Sequence, residues 1–307
     1  MKAVIDVGSN SVLLLVAEKV EGRWHPVLET SVVSALGENT KTTGLLSEAA
    51  MAATLAALKA AFEDARATGA QSVVAAVTMA GRIAKNTSTF LDRAKLQGTP
   101  VSVLSGEREA ELGFLAAAED EEFSHYETLS VVDVGGHSTE LVTAHREGNE
   151  WVARFRKSFS VGTLGLRESM SNAETLDAPA LLKCSATIDE TLGFTYMPQQ
   201  AGHAVTLGAT GTNLVSIRDK MPRWSPEHVH GALLLYEEIS RAVGWLCSLS
   251  DSKRAALQGI ETGRERTIHL GALILERCLH ALKVDECSVS VKGWRYGLLN
   301  HPELLDV

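Results

Sequence analysis

The decapeptide Asp6-Val7-Gly8-Ser9-Asn10-Ser11-Val12-Leu13-Leu14-Leu15 is matched in the middle of the chain by Asp133-Val134-Gly135-Gly136-His137-Ser138-Thr139-Glu140-Leu141-Val142. Asp, Val, Gly, Ser and Leu recur at the same offsets. Each copy closes one apolar strand, turns tightly and opens another, and an internal repeat of this kind marks a duplicated architecture. Glycine allows close backbone approach and positive φ, so successive N–H groups can face a phosphate as an anion nest, with the serine hydroxyls as further donors. The aspartate at the strand end can hold Mg²⁺ directly or through water, since Mg²⁺ prefers oxygen ligands and keeps several waters. One such turn is ordinary hairpin chemistry. Two, at equivalent places in two α/β halves, point to phosphate binding.

Working outward from the first copy, Ala3–Val7, Val12–Val20 and His25–Ala35 read as three strands broken by turn residues. A helix follows, with Ser47 as N-cap, Glu48 at the positive end of its dipole and Gly69 closing it. Ser72–Val77 is a buried strand, Thr87–Gln97 a helix, Val101–Leu104 a strand and Glu107–Ala118 a helix. This alternation indicates α/β architecture with a partly parallel sheet. The acidic stretch Glu119–His125 is either a solvated loop or a crossover between domains, which places the domains at residues 1–122 and 123–307. Around the second copy, strands are expected at Thr128–Val132, Thr139–Ala144 and Trp151–Val161. Helices then dominate at Ala178–Leu192, Pro226–Leu246 and Glu261–Leu282, with short strands at Ala204–Leu207 and Ser288–Val291.

Composition narrows the function. Of 307 residues, 45% are hydrophobic and 22% charged, as in a soluble globular protein, and the net charge of -9 argues against non-specific nucleic-acid binding. It does not argue against a phosphate ligand met by a local positive patch. No apolar run approaches a membrane span, and Asp6 interrupts the N-terminal apolar run before it could serve as a signal-peptide core, so a cytoplasmic location is expected. The four cysteines, Cys184, Cys247, Cys278 and Cys287, lack metal or redox spacing and read as reduced core residues. His203, His228, His230, His269 and His280 show no metal-ligand spacing, and Trp224, Trp245 and Trp294 read as packing anchors.

Two phosphate hairpins facing across a cleft are the arrangement of the two-domain actin-like ATPase fold of actin, sugar kinases and Hsp70 (ribonuclease H-like), with the active site between the domains. The reaction is suggested by Leu104-Ser105-Gly106-Glu107-Arg108-Glu109-Ala110-Glu111-Leu112-Gly113-Phe114. Glu109 shares the small apolar stripe of Leu112, Gly113 and Ala116, whereas Glu107 and Glu111 face solvent. An inward glutamate near a phosphate site is a candidate base for a water; the alternative is that Glu109 only favours the helix N-terminus.

At this point the chain resembles the exopolyphosphatase and guanosine pentaphosphate phosphohydrolase (Ppx/GppA) family. The resemblance is carried in order by residues 5–11, Ser105-Gly106-Glu107-Arg108-Glu109-Ala110, residues 132–141, Ser160-Val161-Gly162-Thr163-Leu164-Gly165-Leu166-Arg167, Gly208-Ala209-Thr210-Gly211-Thr212-Asn213-Leu214 and Ser290-Val291-Lys292-Gly293-Trp294-Arg295-Tyr296-Gly297. It implies Glu109 as activator of the attacking water, Asp133 as the carboxylate tied to Mg²⁺, and Glu140 as a second acidic residue near it; Asp6, the first strand-end aspartate, is a metal candidate from the turn chemistry alone. It also implies Gly8, Ser9, Asn10 and Ser11 with Gly135, Gly136, Ser138 and Thr139 as phosphate loops, within which the His137 side chain could crowd a phosphate or donate to it, and Arg82 and Arg295 as phosphate contacts. For both arginines the alternative is a surface salt bridge; for Gly208 and Gly211 it is a tight strand-to-helix turn. The implied substrates are inorganic polyphosphate or guanosine pentaphosphate, the implied assembly a homodimer. The C-terminal helical domain of longer members is expected to be absent.

Three positions depart from the family pattern. Leu13 stands where many members carry a basic residue, His137 replaces a glycine, and Glu111 replaces an arginine. Two other readings stay open: a kinase or ATPase of the same fold, and a non-catalytic sensor of polyphosphate or guanosine alarmones.

Overall fold

The computed structural model describes residues 1–196 and 200–305. The chain divides into two compact units, Met1–Leu112 with Trp294–Val307, and Gly113–Gly293. This is not a single cut after residue 122: residues 113–122 pack with the second unit, and the chain returns to the first at Trp294.

In the first unit, β1 (Lys2–Val7), β2 (Ser11–Val20) and β3 (Arg23–Val33) precede α1 (Thr40–Thr43), α2 (Glu48–Ala67), β4 (Ser72–Val77), α3 (Met79–Ile83), α4 (Thr87–Leu96), β5 (Ser102–Val103) and α5 (Gly106–Ala118). The sheet order is β3-β2-β1-β4-β5, with the β1–β2–β3 ladders antiparallel and β1, β4 and β5 parallel. Ile5, Val7, Leu14 and Val16 of the sheet meet Met51, Leu58 and Phe62 of α2 and Phe90 of α4 in one core. The start of α2 is set as the sequence predicts: the Ser47 side chain accepts the Ala50 N–H at 3.1 Å, and Gly69 closes the helix in the left-handed region.

The second unit repeats this plan. β6 (Thr128–Val134), β7 (Thr139–Glu147) and β8 (Glu150–Phe159) are followed by α6 (Thr163–Ser169), α7 (Ala178–Leu192), β9 (His203–Leu207) and α8 (Gly208–Arg218). Then come α9 (Pro226–Val229), β10 (Leu233–Leu235), α10 (Tyr236–Ser248), α11 (Asp251–Ala255), α12 (Ile268–Leu282) and β11 (Glu286–Val289), before α13 (Trp294–Asn300) rejoins the first unit. The sheet order is β10-β11-β9-β6-β7-β8, which is the first unit's order with β10 added at one edge. Burial pushes the Cys247, Cys278 and Cys287 thiols up to about 12, and all four cysteines are free and buried.

The duplication runs deeper than the decapeptide. The offset that carries Asp6 onto Asp133 also carries the register shift at Val16/Ala17 onto the one at Thr143/Ala144. In each case one extra residue on the partner strand, Val27 or Arg154, is left out of the pairing. Such a bulge bends and twists its strand, so both hairpins curl at the same place although little of their sequence is shared.

Two expected helices are shorter than their apolar content predicts. Gly231, at φ 77, ends α9, and Leu233–Leu235 pairs with β11 as a strand instead of continuing a helix from Pro226. Gly259 and Gly263 take φ 94 and 90, and α12 begins only at Ile268. Of the three tryptophans read as packing anchors, Trp294 is 3% exposed, but Trp224 and Trp245 are 57% and 45% exposed. The acidic stretch is not wholly solvated either. Burial opposes ionisation of Asp120, yet His230, Lys292 (2.7 Å) and the Glu122 N–H outweigh it and hold the carboxyl well below the usual range.

Arg254 organises the helical side of the second unit. Fully buried, it donates to the carbonyls of Leu246, Leu249, Glu174 and Glu265 and pairs with Asp251, which also receives Arg167 at 2.6 Å. Beside it, burial first and then the two arginines push His269 down to about 3, so this ring stays neutral. Arg254→Met strips the donors from four carbonyls and one carboxylate. The loss expected in denaturant unfolding is about 3–5 kcal/mol; a loss under about 1 kcal/mol would show that the cluster is not the tie described.

Candidate active site

Parallel α/β sheets present ligand sites at the carboxyl ends of their strands. In the first unit these ends carry the predicted residues. β1 ends at Asp6-Val7 and enters the Gly8 loop. β4 lies parallel beside it, with Val7 opposite Val77, and the Thr78 N–H bonds the Val7 carbonyl at 3.2 Å before α3 delivers Arg82. The Leu104 N–H bonds the Val77 carbonyl at 2.9 Å and leads into α5, which delivers Glu109.

The two loops have the same skeleton. The Gly8 N–H bonds the Ser11 carbonyl at 2.9 Å, and the Gly135 N–H bonds the Ser138 carbonyl at 2.9 Å. A β-carbon at Gly135 would stand 2.9 Å from the Ser138 oxygen, and one at Gly8 3.2 Å from the Ser11 oxygen. Each loop is also tied from behind. The Ser9 carbonyl accepts from Gly37 at 2.8 Å, and the Asn10 carbonyl from Ser34 and Ala35 at 3.0 and 2.9 Å. In the second loop the Gly135 carbonyl accepts from Thr163 at 3.0 Å and the Gly136 carbonyl from Leu164 at 2.7 Å. In a planar trans peptide the N–H points opposite to the C=O. Drawing these carbonyls back therefore turns the N–H groups of Asn10 and Ser11, and of Gly136 and His137, the other way. That is the donor pattern of an anion nest.

Side chains around the second loop are more committed than the sequence suggests. The His137 ring is fully buried with Nε2 3.5 Å from a Glu168 oxygen, so what this residue offers a phosphate is its backbone N–H. The Thr139 hydroxyl donates to the Val161 carbonyl at 2.7 Å, and Ser138 is buried. Gly162 is required here: a β-carbon on it would lie 2.5 Å from both the Gly136 carbonyl carbon and the His137 nitrogen.

The carboxylates are placed by register. Asp133 stands directly opposite Glu140 across β6 and β7, as Asp6 stands opposite Leu13 across β1 and β2. Glu140 is 3% exposed and accepts the Ser158 hydroxyl at 2.6 Å. The Asp133 carboxylate lies 2.8 Å from where a β-carbon on Gly208 would be, so a glycine with φ 76 at the start of α8 makes room for it. Among the described residues no three His, Cys, Asp or Glu side chains converge as a metal cage. The donor chemistry nevertheless fits Mg²⁺, which is held by one or two carboxylates with waters and substrate phosphates filling its shell. Asp133 and Glu140, or Asp6, could supply those oxygens.

Arg82 and Glu109, twenty-seven residues apart, are brought together: Nη1 donates to Oε2 at 2.6 Å and to the Leu104 carbonyl at 2.8 Å. Their side chains are only 15% and 11% exposed. Burial, the largest influence, pushes Glu109 above the ordinary glutamate range, and Arg82 pulls it back without cancelling that effect. Glu111 is engaged by Arg108 at 2.8 Å, outside this pair. Arg295 rests on Glu29 of β3 at 3.4 Å. One contact was not anticipated from the sequence: the Trp294 indole N–H donates to Asp6 Oδ2 at 3.0 Å. The only signal for it was the place of this tryptophan inside the block Lys292-Gly293-Trp294-Arg295.

Two α/β units of matching strand order, each with a glycine turn whose N–H groups point away from their tied carbonyls, define the actin-like ATPase fold, shared with solved Ppx/GppA structures. The Ppx/GppA phosphatase family model matches residues 15–305, and the chain belongs to that family. It is an enzyme, a phosphoanhydride hydrolase. Exopolyphosphatase 2 of Mycobacterium tuberculosis is 28% identical over 94% of each chain. The Ppx/GppA enzyme of Aquifex aeolicus superposes with a TM-score of 0.79 at 29% identity, covering 97% of each chain. The fold is matched further by an exopolyphosphatase of Cytophaga hutchinsonii, with a TM-score of 0.86 at 23% identity, covering 98% of this chain and 97% of that one.

The Arg82–Glu109 pair makes a signed prediction. Arg82→Gln removes the influence that lowers Glu109 and leaves burial, which raises it. If ionised Glu109 is needed for turnover, the acid limb of the kcat/KM–pH profile moves to higher pH in the variant. An unmoved limb, or one shifted to lower pH, would contradict the assignment.

Proposed function

We propose that this enzyme releases terminal orthophosphate from inorganic polyphosphate, or the 5′ γ-phosphate from guanosine pentaphosphate, by Mg²⁺-dependent attack of a water activated by Glu109. The observation that carries this reading is Glu109 itself: a buried glutamate with a raised proton affinity, held 2.6 Å from an arginine at the carboxyl ends of the parallel strands. A helix-terminus role does not call for a carboxylate that is buried, raised and paired in this way.

Phosphoryl transfer depends on positioning, on neutralising the equatorial oxygens and on an in-line nucleophile, with little covalent work for the protein. The outward N–H groups of Asn10, Ser11, Gly136 and His137 fit phosphate oxygens and hold them without reorganising. Arg82 has two uses. Before substrate binds it offsets part of the rise that burial gives Glu109, and an incoming phosphate then competes for the same guanidinium. As Arg82 transfers to the phosphate, Glu109 loses the partner that lowered it and becomes the stronger base at the moment a water needs one. Bound Mg²⁺ would supply charge neutralisation on the phosphate oxygens, with Asp133 and Glu140, or Asp6, as the residues to hold it. Names of relatives such as exopolyphosphatase 2 of M. tuberculosis support polyphosphate as the substrate class.

The test is orthophosphate release from long-chain polyphosphate and from guanosine pentaphosphate, with and without Mg²⁺. Metal-dependent release is expected, falling by roughly two orders of magnitude or more in Glu109→Gln, and the better substrate names the activity. No release from either, with phosphate-chain binding intact, would overturn the proposed reaction on both substrates.

A further inference from the structure

The chain leaves the second unit after Gly293, and α13 lays its first residue, Trp294, against the end of β1 at Asp6. The indole is 3% exposed, and its N–H is given to Asp6 Oδ2 at 3.0 Å. The other carboxylate oxygen, Oδ1, lies on the side of the Gly8 loop, 3.8 Å from the position a β-carbon on Gly8 would take. The Asp6 carboxylate is thus held between a buried indole and the first residue of the phosphate loop.

The helix that presents this indole is itself fixed. A β-carbon on Gly297, one turn along α13, would lie 2.1 Å from the Leu112 carbonyl oxygen, so α13 sits directly on the backbone of α5, the helix that carries Glu109. On the same helix, the Arg295 guanidinium reaches Glu29 on β3 at 3.4 Å. Trp294 is therefore placed by backbone packing and by burial of its ring, which restrict it from following Asp6 if the aspartate turns. Were Asp6 to turn, the buried indole N–H would lose its acceptor, which is costly. The tether acts on the carboxylate, not the ring.

We infer that Trp294 is a positioning residue for Asp6, fixing the direction in which its carboxylate meets a divalent cation at the first phosphate loop. The inference rests on the proposed reading in which Asp6 serves Mg²⁺. Hydrogen-bonded partners that orient a ligating carboxylate set metal affinity, and removing one typically costs about 10–100-fold. Packing alone would give Trp294 a role in stability but none in cation affinity, and the two roles separate experimentally.

The probe is Mg²⁺ alone, titrated into the full chain without substrate. The assigned indole N–H signal of Trp294 in the native protein is expected to shift as Mg²⁺ binds, and Asp6→Asn to abolish that shift. Trp294→Phe, which keeps a ring but removes the N–H, is expected to raise the calorimetric Mg²⁺ Kd by about 10-fold or more. It should also raise the Mg²⁺ concentration for half-activation, while KM for polyphosphate at saturating Mg²⁺ stays within about two-fold of native, because the phosphate donors are untouched. Mg²⁺ binding that is lost in Asp6→Asn but equal to native in Trp294→Phe, with the indole signal unmoved, overturns the inference and leaves the Asp6 reading standing. Mg²⁺ binding unchanged in Asp6→Asn overturns both. Should Trp294→Phe fail to fold, the native indole signal decides alone: movement on Mg²⁺ addition supports the tether, and a static signal under confirmed binding refutes it.

Discussion

The structure depends on which way four peptide groups point. In each glycine loop the carbonyls are drawn back onto the protein, by Gly37, Ser34 and Ala35 in one case and by Thr163 and Leu164 in the other. Peptide planarity then turns the following N–H groups the opposite way. The rest of each unit maintains this condition: the paired bulges curl the hairpins alike, Gly162 allows the α6 start to press against the second loop, and the parallel strands bring Arg82 and Glu109 to the same end of the sheet as the first.

A second constraint governs reactivity. Glu109 gains proton affinity from burial and loses part of it to Arg82, so its basicity is set by whether that arginine is occupied elsewhere. A phosphate is the ligand most able to occupy it, since a guanidinium binds phosphate oxygens in the geometry it uses for carboxylates. In the proposed mechanism, charge on an incoming substrate is thereby coupled to the strength of the base.

Local chemistry was legible in the sequence and non-local pairing was not. The Asp6 and Asp133 turns could be read because glycine, serine and strand-ending aspartate act within a few residues, and Ser47 with Gly69 bounded α2 for the same reason. Glu109 was placed inward by its helical spacing, but its arginine could not be found, because the strand order that unites residues 82 and 109 is not written in either segment. The segment from Pro226 reads as helix by apolar content, yet β11 takes Leu233–Leu235 as a strand neighbour. His137 shows the same limit: its position in the loop was evident, whereas its burial toward Glu168 depends on α6, which lies further along the chain. Arg254 carried no motif at all, and its role is visible only once five acceptors converge on it.

The central claim, that outward N–H groups of the two loops hold phosphate oxygens, is tested most directly by backbone amide NMR of Glu109→Gln with tripolyphosphate added. The amide signals of Asn10, Ser11, Gly136 and His137 are expected to move as the ligand binds, ahead of those elsewhere in either sheet. Binding of tripolyphosphate with those four signals unmoved would contradict it.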